Sequence, residues 1–413
     1  MSTNVYSSHN YRTWPIFLLS FTRLFSTSIF ERALSNYLYR VILIRESTLG
    51  FISSAGAITY IFAPILGQIV TTKFLGVRKA LILNSILTPV LTVSQILFPV
   101  PWFLIICRIM NGLTMGLYWP NCLYLLSRWQ KVSTMEKSKK DFALFNFSWN
   151  LGFISGLLVG FIWAFFWSEF LAMLISSLIS FLLIPISFFI QKDDISEISE
   201  GEIIYQSEDP LSHLDIEEDL VINSQTPMII FPVLYSWLSI IFLATSKSVF
   251  IFVYQFLLKA FESPSYITYL VQCGIQLLQL VGLTWLNYMK VYKRKAVSLF
   301  SFAIIIISAL SIILIRNIWY ISIISTIVGL FLGFIHGVGM KIMLEYGAAK
   351  NTARYSTINE ILIGIGFGIT PIISGYVAEI EVYAIHGFIV VFGIAILIGL
   401  IYISRNVKKS RFH

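Results

Sequence analysis

The stretch CRIMNGLTMG, residues 107–116, places a single arginine inside a long apolar region. Residues 80–107 and 109–127, on either side of Arg108, contain no Asp, Glu, Lys or other Arg. A helix that crosses a bilayer needs about 20 mostly apolar residues, so these flanks predict membrane-spanning helices. A charge inside a bilayer is costly and usually faces the interior of a helix bundle. Arg108 is therefore the first candidate for a functional residue.

The composition extends this interpretation to the whole chain. Of 413 residues, 57% are hydrophobic and only 12% are charged, against about 25% charged in soluble domains. The charge-free runs lack the alternation of membrane barrel strands and favour helices. They predict twelve spans, near residues 14–37, 48–72, 79–98, 102–127, 142–166, 169–190, 229–257, 266–288, 295–314, 318–341, 355–377 and 383–404. The expected fold class is an all-α integral membrane protein.

The basic residues predict the orientation of the chain. With twelve spans both termini share one side, and that side holds 20 Lys and Arg against 4 in the opposite connections. Basic residues concentrate in cytoplasmic loops, so we expect a multi-pass protein of the cell membrane with cytoplasmic N- and C-termini. The N-terminal MSTNVYSSHNYR lacks the basic n-region of a signal peptide, so span 1 is expected to be a retained anchor.

Residues 192–227 interrupt the apolar pattern, and this stretch carries 11 of the 21 acidic residues. So polar a segment cannot bury enough apolar surface to fold alone, which favours a solvated cytoplasmic linker over a regulatory docking site. The linker separates an N-terminal six-helix bundle, residues 1–191, from a C-terminal one, residues 228–413. Basic cytoplasmic rims against lipid headgroups explain the net charge of +8, so the bilayer is a partner and nucleic acid is not expected.

The two halves of the chain repeat each other weakly. GQIVTTKFLGVRKA after span 2 begins at Gly67, and GLTWLNYMKVYKRKA after span 8 begins at Gly282, each with a basic pair at the same offset. Gly152 of span 5 aligns in the same way with Gly366 of span 11. Duplicated six-helix halves indicate a secondary transporter whose substrate site lies near mid-membrane.

At these residues the chain resembles the major facilitator superfamily over essentially its whole length. The connection between spans 2 and 3 resembles the family's G-x-x-x-D-R-x-G-R-R signature, with Thr71 or Thr72 at the acidic position, and RIMNGLTMG resembles its span 4 signature. Span 5 resembles the family's antiporter signature, with Leu157 in place of the proline. The residues that the resemblance assigns to gating and packing are Gly67, Gly76, Arg78, Lys79, Gly112, Gly116, Gly152, Gly156, Gly160 and Pro371. The resemblance implies transport by alternating access between two bundles.

Helical spacing selects the side chains that we expect to line the substrate route. Arg108 shares one face of span 4 with Asn111, Met115, Tyr118 and Asn121, and three glutamines share one face of span 8. The predicted substrate-cavity residues are Arg23, Thr27, Arg108, Asn111, Tyr118, Asn146, Asn150, Lys247, Gln272, Gln276 and Gln279. Structural alternatives stay open, namely a fixed strut at Arg108, a snorkelling Lys247 and glutamines that join helices.

Three side chains are candidates for proton coupling: Glu31 in span 1, His336 in span 10 and Glu360 in span 11. Burial disfavours a charged carboxylate and a nearby arginine favours it. A conformational change that alters the distance of Glu31 from Arg23 or Arg108 would therefore make proton uptake depend on the state of the carrier. The alternatives are a packed histidine and simple ion pairs, of Glu31 with Arg32 or Arg40 and of Glu360 with Arg354.

The chain carries none of the HExxH, GxSxG, phosphate-loop or nucleotide-binding motifs, and its three cysteines lack metal-ligand spacing. We therefore expect no enzyme activity, no cofactor and no metal. The expected function is secondary, proton-coupled or facilitative, transport of a small organic solute by a monomer. Basic residues outnumber acidic ones in the spans, which favours an anionic or zwitterionic substrate. The alternatives are an exporter of drug-like compounds and a receptor or scaffold with a transporter fold.

Overall fold

A computed structural model describes residues 12–131, 135–191, 232–349 and 352–405. Within these residues every regular element is a helix, which confirms the all-α fold class. The α-helices are α1 Trp14–Arg40, α2 Glu46–Val70, α3 Val77–Leu97, α4 Pro101–Lys131, α5 Met135–Phe166, α6 Glu169–Ser180, α7 Leu183–Phe188, α8 Val233–Phe252, α9 Tyr254–Ala260, α10 Ile267–Asn287, α11 Val291–Leu314, α12 Ile318–Ala349, α13 Thr352–Ile380 and α14 Ala384–Arg405.

The twelve predicted spans correspond to these helices of the described residues, with two spans interrupted. α6 and α7 share one span, and α8 and α9 share another. Several helices also run past the predicted ends: α4 and α12 continue to Lys131 and Ala349. Hydropathy locates only the apolar part of a helix, whereas the backbone hydrogen bonds that continue it need no apolar side chains.

Ten helices of the described chain are long and apolar enough to cross a membrane. α1 and α4 are not among the ten, although they are 27 and 31 residues long. Their polar and charged side chains, Arg23 and Arg108 among them, lower their hydropathy. The helices that carry Arg23 and Arg108 are therefore the two that hydropathy and length fail to identify as membrane spans.

The helices group into two compact units. Among the described residues, unit 1 comprises residues 12–131 and 135–191 together with Leu258–Cys273, and unit 2 comprises residues 232–257, 274–349 and 352–405. The first turns of α10 thus belong to unit 1 and the remainder of this helix to unit 2. The acidic linker at 192–227 lies outside the described residues, so the predicted domain boundaries stay a prediction.

Glycines bring α2 and α4 of unit 1 close together. A Cβ added at Gly67 would meet the carbonyl oxygen of Gly116, and one added at Gly116 would meet the carbonyl oxygen of Ala63. A Cβ at Gly112 would meet the carbonyl oxygen of Gly56 in the same way. Only residues without a side chain permit this approach of two backbones. α2 is therefore the helix that the glycines of α4 contact.

Unit 2 repeats this contact between α10 and α12. A Cβ at Gly282 would meet the carbonyl oxygen of Leu330, as one at Gly67 meets that of Gly116. The aligned pair Gly152 and Gly366 also lies at closely packed crossings, of α5 against α1 at Phe21 and of α13 against α8 at Ala244. The residues that align in sequence thus occupy matching contacts within each unit.

Candidate functional site

Arg23 lies buried in unit 1 among neutral partners. Its Nη1 donates to Asn84 Oδ1 at 2.7 Å and to Thr88 Oγ1 at 2.8 Å, both on α3. Its Nη2 lies 3.0 Å from the sulfur of Met115, and the guanidinium stacks over the ring of Tyr118 at 4.6 Å, both on α4. Its Nε is buried without a hydrogen-bond partner. We call these five residues the Arg23 cluster.

The Arg23 cluster holds no acidic side chain. Among the described residues, no Asp or Glu oxygen lies within ion-pair distance of Arg23. Tyr118 is oriented by a 2.7 Å hydrogen bond from its hydroxyl to Ser20 of α1. A buried cation is stabilised by hydrogen bonds and by the face of an aromatic ring, but the charge of Arg23 stays without a counter-ion from this part of the chain.

Arg108 forms an ion pair with Glu31, from its Nη1 to Oε1 of the carboxylate. The side chain of Arg108 is 9% exposed and that of Glu31 is 44% exposed. The partner of Glu31 is thus Arg108 of α4, and neither Arg32 nor Arg40. This pair joins α1 to α4 within unit 1, and the carboxylate of Glu31 balances the charge of Arg108.

Lys247 of α8 is the corresponding cation of unit 2, and it is half-buried. Its Nζ donates to Gln276 Oε1 at 2.8 Å and to Gln279 Oε1 at 2.6 Å, both on α10. The amide of Gln279 lies 3.3 Å from Nδ1 of His336 on α12. An ammonium group has three N–H donors, and in the described structure one of them has no partner. We call these four residues the Lys247 cluster.

The third glutamine of the predicted row has a different partner. Gln272 belongs to the part of α10 in unit 1, and its Oε1 accepts a 2.8 Å hydrogen bond from Nε of the buried Arg32. Gln276 and Gln279 belong to unit 2. The three amides therefore follow one helix face, as predicted, but the structure divides them between two cations.

A second polar group of unit 1 surrounds Glu169, the first residue of α6. Its Oε1 accepts from Asn36 Nδ2 at 2.8 Å and from the Ser265 hydroxyl at 2.6 Å, and its Oε2 accepts from the Tyr269 hydroxyl at 2.7 Å. Asn36 also donates to Thr268 Oγ1 at 3.0 Å. We call these five residues the Glu169 network.

The remaining predicted cavity residues form no side-chain hydrogen bond to these clusters within the described part of the chain. Thr27 and Asn111 are half-buried. Asn146 accepts a 3.2 Å hydrogen bond from the indole of Trp149, and Asn150 donates to the Asn146 carbonyl at 2.8 Å, so both are engaged within α5. Glu360 is half-buried in α13, and the side chain of its suggested partner, Arg354, lies outside the described residues.

The connection between α2 and α3 is a π-helical turn, residues 71–75, followed by Gly76 at φ 71°. Only glycine adopts this backbone conformation without strain. The hydroxyl of Thr71 accepts a 2.9 Å hydrogen bond from Asn121 of α4. Arg78 donates to the Phe188 carbonyl at 3.0 Å, and Lys79 is exposed. A neutral Thr–Asn contact therefore occupies the region where the family signature has an acid.

Sequence reasoning missed several partners in these clusters. Asn84 and Thr88 are one turn apart in span 3, which is a weak sign of a polar face. Arg32 and Asn36 are also one turn apart. Arg32 contacts Gln272 in α10, and Asn36 contacts Ser265 and Thr268, just before and at the start of that helix. Glu169 gave no signal, because an acid in the first turn of a helix is common there for helix-dipole reasons alone.

The comparisons with known proteins agree with this architecture. The family model described as Major Facilitator Superfamily matches residues 16–237 and 236–413. The chain therefore belongs to the Major Facilitator Superfamily. Membership of this family confirms the predicted class of a membrane transporter rather than an enzyme. No curated protein matches the sequence.

Solved structures of transporters share the fold. The nucleoside transporter NupG superposes with a TM-score of 0.71 at 13% identity, over 95% of this chain and 98% of that one. A bacterial homolog of the human lysosomal transporter Spinster, inward-facing and unoccupied, gives 0.71 at 12% over 100% of both chains. A POT family transporter in complex with 5-aminolevulinic acid gives 0.71 at 12% over 96% of both. At these identities the likeness is one of fold.

Proposed function

We propose that this protein is a proton-coupled secondary transporter that moves a small organic solute carrying an anionic group, by alternating access. The observation that supports the substrate class most directly is the Lys247 cluster. A half-buried ammonium is held there by two neutral amides, with one N–H left over among the described residues. An anionic group on a solute would supply both the missing acceptor and the missing charge.

An ion without a counter-charge is costly to bury. Removing a charge from water costs several kcal/mol, and hydrogen bonds to neutral groups compensate this only in part. Proteins rarely retain such an ion inside a membrane without a functional reason. Arg23 of unit 1 presents the same chemistry, since its described partners are an amide, a hydroxyl, a thioether and an aromatic ring. Unit 1, at Arg23, and unit 2, at Lys247, therefore each hold a cation whose described partners are neutral and which an anion would suit.

Transport by purified protein in proteoliposomes tests the function. We expect saturable uptake of one or more members of a panel of carboxylates, zwitterionic amino acids and phosphorylated metabolites, increased by an imposed pH gradient. 5-Aminolevulinic acid, the molecule bound in one of the similar structures, belongs in the panel. Flux of amphipathic cations alone would favour a drug exporter, whereas binding without flux for any compound would favour a receptor.

We propose further that the protein lies in the cell membrane as a monomer with cytoplasmic termini. The support for the orientation is the excess of basic residues, 20 against 4, on the side of the termini. A cysteine introduced at Ser207, in the acidic linker, is expected to resist labelling by an impermeant maleimide in intact cells and to react after permeabilisation. If intact cells were labelled as strongly as permeabilised cells, the linker would lie outside the cell and the proposed orientation would be wrong.

A further inference from the structure

The Glu169 network holds a segment that belongs in sequence to the C-terminal half. Leu258–Cys273 lies in unit 1, although the residues on both sides of it lie in unit 2. Ser265 and Tyr269 of this segment bind the carboxylate of Glu169, and Thr268 binds Asn36 of α1. The ring of Tyr269 also lies against Gly160 of α5. Side-chain hydrogen bonds of the segment to the rest of unit 1 thus go to Glu169, to Asn36 and, at Gln272, to Arg32, and two of them end on the carboxylate of Glu169.

All three contacts of the Glu169 carboxylate are with donors. The amide of Asn36 donates, and the hydroxyls of Ser265 and Tyr269 lie at 2.6 and 2.7 Å. An ionised carboxylate accepts only, so it satisfies all three at once. A protonated carboxyl has a donor of its own, and one of the three partners must then rotate or lose its hydrogen bond. The arrangement therefore fits the charged form of Glu169.

We propose that Glu169 is a proton-sensitive attachment point: its carboxylate fastens the segment Leu258–Cys273 to unit 1, and protonation of the carboxyl loosens the segment. Glu169 then acts as a positioning residue in the transport cycle and need not touch the substrate. Its role in transport rests on the proposed function, whereas the attachment itself does not depend on which solute is carried.

Among the described residues, the charged and titratable neighbours of Glu169 are two arginines of α1 and one tyrosine of the segment. Arg32 and Arg40 of α1 lie near enough to influence its charge, and Arg32 also binds Gln272 of the attached segment. Arginine keeps its charge at all accessible pH values. Tyr269 is the titratable neighbour within the segment, and a tyrosine is ordinarily neutral near pH 7. Among these groups the carboxyl of Glu169 is the one whose charge can change near or below neutral pH.

Hydrogen–deuterium exchange of the purified full-length protein tests the attachment without any substrate. The amides of Thr268 and Tyr269 are hydrogen-bonded to the carbonyls of Ser265 and Tyr266, at 3.0 and 3.2 Å, and report on the segment. After correction for intrinsic exchange, we expect their protection to fall about tenfold or more from neutral to mildly acidic pH, since one hydrogen bond to a charged group is worth roughly 1.5–3 kcal/mol. In Glu169→Gln, protection should be low at both pH values.

Two carboxyl variants serve as controls. Glu169→Asp retains the charge and should retain the pH dependence. Glu46→Gln is a matched change, because Glu46 is also the first residue of a helix in unit 1 and also accepts from a tyrosine hydroxyl, Tyr39, at 2.7 Å. It removes no hydrogen bond of the Glu169 network, and Tyr39 meets the segment at the exposed Lys259, so the exchange of Thr268 and Tyr269 should remain as in the wild type.

A wild-type segment whose protection does not change with pH would overturn the proposal, as would a pH dependence that persists in Glu169→Gln. If Glu169→Gln fails to fold, Tyr269→Phe replaces it. This variant removes one donor and keeps the acid, so it should lower protection at neutral pH and reduce the change on acidification. Unaltered protection in Tyr269→Phe would contradict the proposal equally. Transport assays are separate, so a failure of the solute hypothesis does not affect this result.

Discussion

Lys247→Met is expected to raise the half-saturating concentration for transport by about 10- to 100-fold, or to abolish measurable uptake. Methionine has nearly the same length but cannot donate to an anion, and one hydrogen bond to a charged group is worth roughly 1.5–3 kcal/mol. The variant also leaves the carbonyl oxygens of Gln276 and Gln279 without their shared donor. Initial rates of uptake over a range of substrate concentrations measure the effect.

A matched lysine and a neighbouring amide separate recognition from folding. Lys259→Met removes an exposed lysine that stacks on the ring of Tyr39 at 4.1 Å, and it should leave uptake within about twofold, since exposed charges contribute little. Gln276→Leu should weaken transport without loss of expression, because it withdraws one of the two amides that hold the ammonium. Unchanged affinity and rate in both cluster variants would remove Lys247 and α10 from the substrate route.

Glu31→Gln is expected to abolish pH-driven accumulation while downhill exchange of substrate continues. The neutral amide imitates one fixed protonation state of the carboxyl, so the variant cannot take up and release a proton during each cycle. In the structure Glu31 pairs with Arg108, and its side chain is 44% exposed whereas that of Arg108 is 9% exposed. Proton uptake would break the ion pair, and by linkage the pairing state and the substrate affinity would influence each other.

Glu360→Gln is the control for Glu31, with the same chemical change in α13 of unit 2. It should alter expression or rate more than coupling. Accumulation in response to a pH gradient and exchange at equal pH are measured on the same proteoliposomes. Full accumulation by Glu31→Gln would end the coupling role of Glu31, and loss confined to Glu360→Gln would transfer that role to α13.

Much of the fold could be predicted because each membrane span is recognisable from its own local sequence. The length of a charge-free run and its lack of alternation predict a membrane-spanning helix without reference to the rest of the chain. Repeating this for every run predicts the all-α class. The breaks between Ser180 and Leu183, and between Phe252 and Tyr254, were not visible, because apolar residues continue through both. Hydropathy records the environment of a residue and carries no information on whether a single backbone turn is regular.

The sequence predicted which side chains share a helix face, but it did not predict which side chains of other helices they contact. Helical periodicity placed Arg108 and Tyr118 on one side of span 4, yet it could not tell that the first meets Glu31 and the second meets Arg23. Periodicity likewise placed the three glutamines of α10 on one face, but it could not tell that Gln272 binds one cation and the other two bind another. The roles assigned to these residues stay predictions. One sequence read alone does not identify the opposing helix, and contacts between distant parts of the chain decide which polar groups meet.

The neutral surroundings of Lys247 bear on how an empty carrier returns. Its partners, Gln276 and Gln279, cannot neutralise the ammonium, so an unloaded site carries a positive charge that an anionic cargo would cancel. Reorienting the unloaded protein would then have the higher barrier, since a bare ion tolerates a change of dielectric surroundings less well than a neutral pair. Under the proposed function, the protein would therefore exchange one anion for another faster than it performs net movement, and solute on the far side would stimulate flux from the near side.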